Sequence, residues 1–349
     1  MRSPLDNEAV TPACWNDWRW QWRNRMEGPR ALSALLEARG QAFDQAAMER
    51  VVARYRFRAV PYYLGLIDWS DAHDPIRLQC IPDPRELDDD PAGGEDPYRE
   101  ISGTDLPGVV HRFPDRVLLV VTTDCAMTCR HCTRKNTLDG PRRLGLQAPD
   151  AALAYVAAHP GVREVLLSGG DPLLLETGVL DDLLARLLAI PHVEVVRIGT
   201  RVPAVLPMRI DDDLAGMLRR HRPLWLNTHF NHPRELTPEA VAACGRLVDA
   251  GIPVSNQTVL LRGVNDRLDV MRELCCGLQR CRVRPYYVFL CDPVSGIPHF
   301  RVDRNVAITL QEGLRTSVGG LCLPRFVEDI PGARGKTMIG QKEGDVHEA

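Results

Sequence analysis

From Val117 onward the chain alternates between two kinds of apolar pattern, and that alternation limits the folds open to it. Strand-like apolar runs occupy 117–123, 163–168, 193–199, 223–230, 253–260 and 284–290. Mostly amphipathic, helix-like segments lie between them, near 149–158, 179–189, 211–220, 237–250 and 266–280. Strand and helix exchanging at intervals of roughly 30 residues describe parallel βαβ units. Six such units are too few for a closed eight-stranded barrel. The expected fold is therefore α/β, an open partial (β/α)6 barrel.

Residues 1–60 read as helical, with Trp15, Trp18 and Trp22 at helical spacing as packing groups. The stretch Asp83–Glu100 is dense in Asp, Glu, Pro and Gly, and its Asp88–Asp90 run reads as a solvated loop. Three segments result: an N-terminal helical region with an acidic loop (1–105), the partial barrel (106–300) and a C-terminal segment (301–349). At 349 residues, 44% apolar and 26% charged, the chain can bury a large core. A formal charge of −3 gives no reason to expect nucleic acid or an acidic membrane surface as partner. The N-terminus lacks a signal-peptide pattern, and no apolar run approaches the roughly 20 residues that span a bilayer.

Polar residues recur at the ends of successive strands, where parallel sheets place their chemistry. After the first strand come Cys125, Cys129 and Cys132, in C-x3-C-x2-C spacing. Three thiolates suit a cube of iron and sulfide with one iron left open. Zinc is the alternative, but zinc sites want four ligands, and no second Cys or His pair follows. The motif resembles the signature of the radical S-adenosylmethionine (SAM) enzymes, which implies a [4Fe-4S] cluster with SAM on its open iron. Eleven cysteines without a framework pattern suit a reducing cytoplasm. Cys275, Cys276, Cys281, Cys291 and Cys322 read as core or incidental residues.

Ser168-Gly169-Gly170-Asp171 follows the second strand. The glycines would let backbone approach a ligand closely, and the carboxylate would accept from the SAM ammonium group. Read alone, Gly-Gly-Asp is equally an ordinary turn. His131, between two of the cysteines, is expected to hydrogen-bond near the cofactor rather than ligate it. Thr200-Arg201 follows the third strand, His229 ends the fourth, Gln257 lies in the fifth and Asp292 follows the sixth. His229 and Gln257 are expected to face the cofactor.

Of 43 basic residues, only Lys135, Lys336 and Lys342 are lysines. Lys336 sits in Gly332-Ala333-Arg334-Gly335-Lys336, which is no phosphate-binding P-loop, because Ile330 stands where that motif needs glycine. A lysine on a glycine-flanked turn can reach into a pocket and form a Schiff base. Arg112 and Arg116, four apart, could clamp a phosphate or serve equally as structural ion-pair partners.

Over nearly its whole length the sequence resembles the lysine 2,3-aminomutases. The likeness covers Trp15-Asn16-Asp17-Trp18, Asp74-Pro75-Ile76-Arg77, the His111–Arg116 run, Cys129-Arg130-His131-Cys132-Thr133-Arg134, Leu167–Asp171, Val259–Asp266, Arg284–Tyr287, Gly296–Arg301 and the Gly335-Lys336 turn. The resemblance implies the radical SAM form of the partial (β/α)6 barrel, with an N-terminal helical extension. It implies pyridoxal 5′-phosphate on Lys336, with Arg112 and Arg116 serving that cofactor. It assigns Arg134 to the substrate carboxylate, and Asp292 and Asp329 to the distal ammonium of lysine.

The implied enzyme is an isomerase that moves the α-amino group of L-lysine to C3, giving β-lysine. Arginine is the alternative substrate, and β-lysine formation for modifying a translation factor a further one. An iron–sulfur electron carrier or zinc module is the reading from another class. Implied partners are a small basic amino acid, a one-electron reductant of flavodoxin or ferredoxin type, and a second copy of the chain in a homo-oligomer. Three departures stand out. Arg334 intrudes beside Lys336, Arg267 replaces an expected cysteine, and the family's zinc-binding C-terminal extension is not matched by Ala349.

Overall fold

In the run Glu164–Gly169, Val165 and Leu167 are fully buried, whereas Glu164, Leu166 and Ser168 line a cavity. Successive side chains of a strand point to opposite faces, so one face packs on helices and the other is left for chemistry. The neighbouring strands obey the same rule: Val196 and Ile198 are buried while Arg197 and Gly199 line the cavity. The computed structural model describes residues 10–103, 106–138, 149–333 and 335–340. Arg334 and Lys342 lie outside the described residues.

The strands form a nine-stranded sheet. In chain order they are β1 (Val109–Phe113), β2 (Arg116–Thr122), β3 (Glu164–Gly169), β4 (Val195–Gly199), β5 (Leu224–Thr228), β6 (Val254–Leu260), β7 (Arg284–Leu290), β8 (Arg325–Glu328) and β9 (Thr337–Met338). Their order in the sheet is their order in the chain. From β2 to β8 every pairing is parallel, while β1 and β9 run antiparallel along the two edges. Helices between the parallel strands cover the outer face and make an open (β/α) barrel of the radical SAM type. They begin where capping chemistry allows: Thr237 caps Pro238–Asp249 by accepting from the Ala240 N–H, and Asp211 caps Asp212–Arg220 through Leu214.

The barrel exceeds the sequence expectation by one parallel strand, β8, which adds beside β7. His111–Phe113 belongs to a strand of its own, β1, ahead of the first strand expected from the sequence. The helical expectation for the N-terminus holds, in four pieces: Pro12–Trp15, Trp18–Arg23, Gly28–Ala38 and Gln45–Arg54. Trp15 and Trp18 are buried packing groups, but Asp17 starts a new helix between them by accepting from the Arg19 N–H. A two-stranded pair, Met26–Glu27 with Arg58–Ala59, brings this extension to the cysteine loop, where Ala59 bridges to Met127. One continuous core runs from Trp15 to Ile339.

The acidic stretch is not wholly solvated. Asp88 and Asp89 are exposed, but Glu86 is buried, Asp90 pairs with Arg301 at 2.6 Å, and Tyr98 and Glu100 line the cavity. Glu86 answers two buried cations of the cysteine loop, Arg130 and Lys135, the latter at 2.8 Å. Buried charge needs a partner, and this segment supplies it.

Candidate active site

A cavity of about 830 Å³ opens at the C-terminal ends of the strands, and every candidate site residue read from the sequence lines it. At one end are Cys125, Cys129 and Cys132, on the loop after β2. Burial, reinforced by the neighbouring cysteines, raises the Cys125 thiol well above its ordinary range and Cys132 to about 11. Iron would displace protons there. Among the described residues no three Cys, His, Asp or Glu side chains converge on a single ion. Three thiolates on one loop are the donor set that a [4Fe-4S] cube takes when one iron is left open.

Beside the cysteines, the Nε2 atoms of His131 and His229 lie 3.2 Å apart, and Asn231 Nδ2 is 3.2 and 3.0 Å from them. Burial first, then the Arg201 charge, holds both imidazoles well below their usual range, so both are neutral. The buried Nδ1 of His131 has no partner among the described residues. An unmatched polar atom on a cavity wall fits a polar cofactor such as SAM.

The Ser168–Asp171 turn lines the cavity and is fixed by contacts of its own. A Cβ on Gly169 would stand 2.3 Å from the Thr122 carbonyl oxygen, and one on Gly170 would stand 2.1 Å from that of Asp124. The close approach of backbone at the end of β2 and in the cysteine loop leaves no room for a side chain at either glycine. Gly169 also has φ +125°, a conformation that favours glycine. The Asp171 carboxylate accepts from the Thr200 hydroxyl at 2.6 Å and from the N–H groups of Leu173, Arg201 and Val202 at 3.1, 2.7 and 3.1 Å. Burial pushes its pKa up to about 6 against those four donors. With both oxygens engaged by these four donors, Asp171 also holds the turn itself.

Lys336 precedes β9 at the other end, with Nζ 3.9 Å from Asp329 and 5.5 Å from the Phe289 ring centre. Burial lowers its pKa, opposed by Asp329 and Tyr287 and assisted by Arg116 and Arg197. Arg197 and Arg325 line this end too, and neither was singled out from sequence. An amine with cations close by fits the aldehyde and phosphate of pyridoxal phosphate. Arg112 and Arg116 also have the ion-pair role left open above: Arg112 reaches Asp329 at 3.2 Å and Arg116 its neighbour Asp115 at 2.8 Å.

Asp292 follows β7, and its carboxylate accepts from Tyr98. Burial pushes its pKa up to about 7, with the nearby Asp329 charge adding to the rise. Arg134 holds the Glu100 carboxylate through Nε and Nη2 at 2.6 and 2.7 Å, and its Nη1 reaches Ser168 Oγ at 3.2 Å. The guanidinium fork is therefore already set to grip a carboxylate in two-point fashion. Tyr98 and Glu100, missed in an acidic stretch, carried one available signal: a tyrosine is unusual within an otherwise charged, turn-rich run.

The Radical SAM superfamily profile matches residues 119–275. The L-lysine 2,3-aminomutase of Clostridium subterminale is 47% identical over 331 residues, covering 95% of this chain and 79% of that protein. The L-lysine 2,3-aminomutase of Acetoanaerobium sticklandii is 46% identical, with 95% and 80% covered. The glutamate 2,3-aminomutase of Clostridioides difficile is 38% identical, with 93% and 76% covered. The chemistry is that of an isomerase using a [4Fe-4S] cluster, SAM, pyridoxal phosphate and an external reductant. Among the described residues no helix is long and apolar enough to cross a membrane. On a site of this composition and relatives this similar across almost the whole sequence, the chain belongs to the lysine 2,3-aminomutase family.

Proposed function

We propose that the chain is an L-lysine 2,3-aminomutase, moving the amino group of L-lysine from C2 to C3 to give β-lysine. The observation that carries this reading is the pair of acids, Asp292 and Asp329, lining the same cavity as Lys336 and the carboxylate-gripping Arg134. A cationic tail in a closed pocket needs compensating anions. A dicarboxylic substrate would meet repulsion there.

In this reading Cys125, Cys129 and Cys132 hold the cluster, and His131, His229, Gln257 and the Ser168–Asp171 turn frame the sulfonium cofactor. Lys336 holds the pyridoxal aldehyde, with Arg112, Arg116, Arg197 and Arg325 around its phosphate. When bound, these groups supply the electron, the carbon radical and the conjugated π-system that the rearrangement requires. Arg134 orients the substrate carboxylate, which exchanges like for like with Glu100. Asp292 and Asp329 grip the distal ammonium and set how deeply the chain enters. The lowered pKa of Lys336 leaves more of its amine with a free lone pair at neutral pH. The neutral His131–His229 pair adds no charge beside a sulfonium cation. The surrounding walls limit the entry of water, which would screen the charges that hold the substrate.

The reductant is proposed to be of flavodoxin or ferredoxin type, the setting the cytoplasm, and the working form a homo-oligomer. Anaerobic turnover tests the main reading: reduced, reconstituted protein receives SAM, pyridoxal phosphate and lysine, arginine or glutamate. β-Lysine as the main product is the expected result. β-Arginine or β-glutamate in its place would overturn the substrate assignment.

A further inference from the structure

Arg201 follows β4 and is 8% exposed, and both terminal nitrogens of its guanidinium are engaged while its buried Nε has no partner among the described residues. Nη2 donates to Glu235 Oε1 at 2.8 Å and to Gln79 Oε1 at 2.5 Å, and lies 3.4 Å from Tyr63 Oη. Its own main-chain N–H is one of the donors holding Asp171. The remaining terminal nitrogen, Nη1, is directed at sulfur: it donates to Cys129 Sγ at 2.8 Å. Glu235 also takes hydrogen bonds from Tyr63 and from the N–H groups of Asn231 and His232, and it meets Arg201 at the terminal nitrogen that does not reach the cysteine.

We propose that Arg201 sets the reduction potential of the iron–sulfur cluster by holding a fixed cation hydrogen-bonded to the Cys129 sulfur. This rests on the reading that Cys125, Cys129 and Cys132 hold that cluster. Adding an electron makes a cluster more negative, so hydrogen bonds and positive charge at its sulfurs favour the reduced state and raise the potential. A buried donor is stronger in this respect than one in water, because the low local dielectric leaves its field unscreened. The planar fork matters as well. One nitrogen binds the carboxylate and the other the sulfur, a division a single ammonium group cannot reproduce in the same geometry.

The test is a redox titration of the reconstituted cluster, followed by the electron paramagnetic resonance of the reduced form, without substrate or turnover. Arg201→Met is expected to shift the midpoint to more negative potential at unchanged iron and sulfide content. Arg201→Lys, which keeps the charge but not the fork, should shift it less. Because Arg201→Met strands Glu235, the pair Arg201→Met with Glu235→Gln is measured too. There the glutamine oxygen can accept from Asn231 and His232 while its amide faces Tyr63. A smaller negative shift is expected, since cation and anion leave together but the hydrogen bond to sulfur is lost. Variants that assemble the cluster yet keep the parent midpoint would overturn the proposal. Failure of all three to take up iron would overturn it also, making Arg201 an assembly residue rather than a tuning one. Absence of a cluster from the parent protein would instead refute the cysteine assignment.

Discussion

Tyr98 donates its hydroxyl to the Asp292 carboxylate, and the carbonyl oxygen of Asp329 lies 2.9 Å from the same phenol. One side chain from the acidic stretch thus ties together the two chain segments that carry the acids. Tyr98→Phe removes a donor that favours the charged form of Asp292. It should raise KM for lysine on the order of tenfold, the cost of one hydrogen bond to a charged group, with a smaller effect on kcat. Steady-state kinetics on the two proteins decide this, and an unchanged KM would show that Tyr98 does not support substrate binding.

The pH dependence of binding follows from the same carboxyl. Folding raises Asp292 from the ordinary 3.8 to about 7, chiefly by burial. The carboxylate is the form that attracts an ammonium, so affinity for lysine should be full above that value. It should fall roughly tenfold per pH unit below it. Asp292→Asn should weaken lysine binding at neutral pH and flatten this limb of the pH–KM profile. A limb that persists in the variant would assign the titration to another group.

Lys336→Ala should abolish the visible absorbance of bound pyridoxal phosphate while leaving the iron content at the parent level. Arg197→Ala should weaken binding of the same cofactor by about tenfold, because a charge-assisted contact to phosphate is lost. Spectral titration with pyridoxal phosphate measures both. Parent-like affinity in Arg197→Ala would remove that arginine from the phosphate site.

Beneath the cysteine loop, burial opposes ionisation of Glu86, but Arg130 and Lys135 outweigh it and hold the carboxyl below its usual range. Its contribution to stability is present above the ordinary glutamate pKa and is lost as pH falls through the depressed folded value. Glu86→Ala leaves two buried cations without their anion, and should cost about 3–5 kcal/mol. Denaturant unfolding of the two proteins tests it. A loss near zero would mean that Arg130 and Lys135 find other partners.

The helix and strand boundaries of the barrel were legible to within two residues, as at 284–290 against Arg284–Leu290 and 266–280 against Leu268–Arg280. Hydrophobic periodicity is a local signal, and these elements are long enough to show it. β8 and β9 were not legible: they are short, and what makes them strands is the waiting edge of β7. The site divides in the same way. Cys125, Cys129, Cys132 and Lys336 announce themselves by spacing and by rarity. Tyr98 and Arg112 act through partners 194 and 217 residues away, which no window of sequence reveals. At Gly169 and Gly170 the sequence left a turn and a ligand approach open, and the contact with the backbone of Thr122 and Asp124 was not legible, since a glycine does not say what comes close.

The sheet adds its strands in the order in which the ribosome delivers them. Synthesis from the N-terminus therefore completes the loop of Cys125, Cys129 and Cys132, with β2 and β3 beside it, long before Lys336 exists. The residues at the two ends of the cavity are thus completed at different times during synthesis, and the Lys336 amine arrives with the final strand.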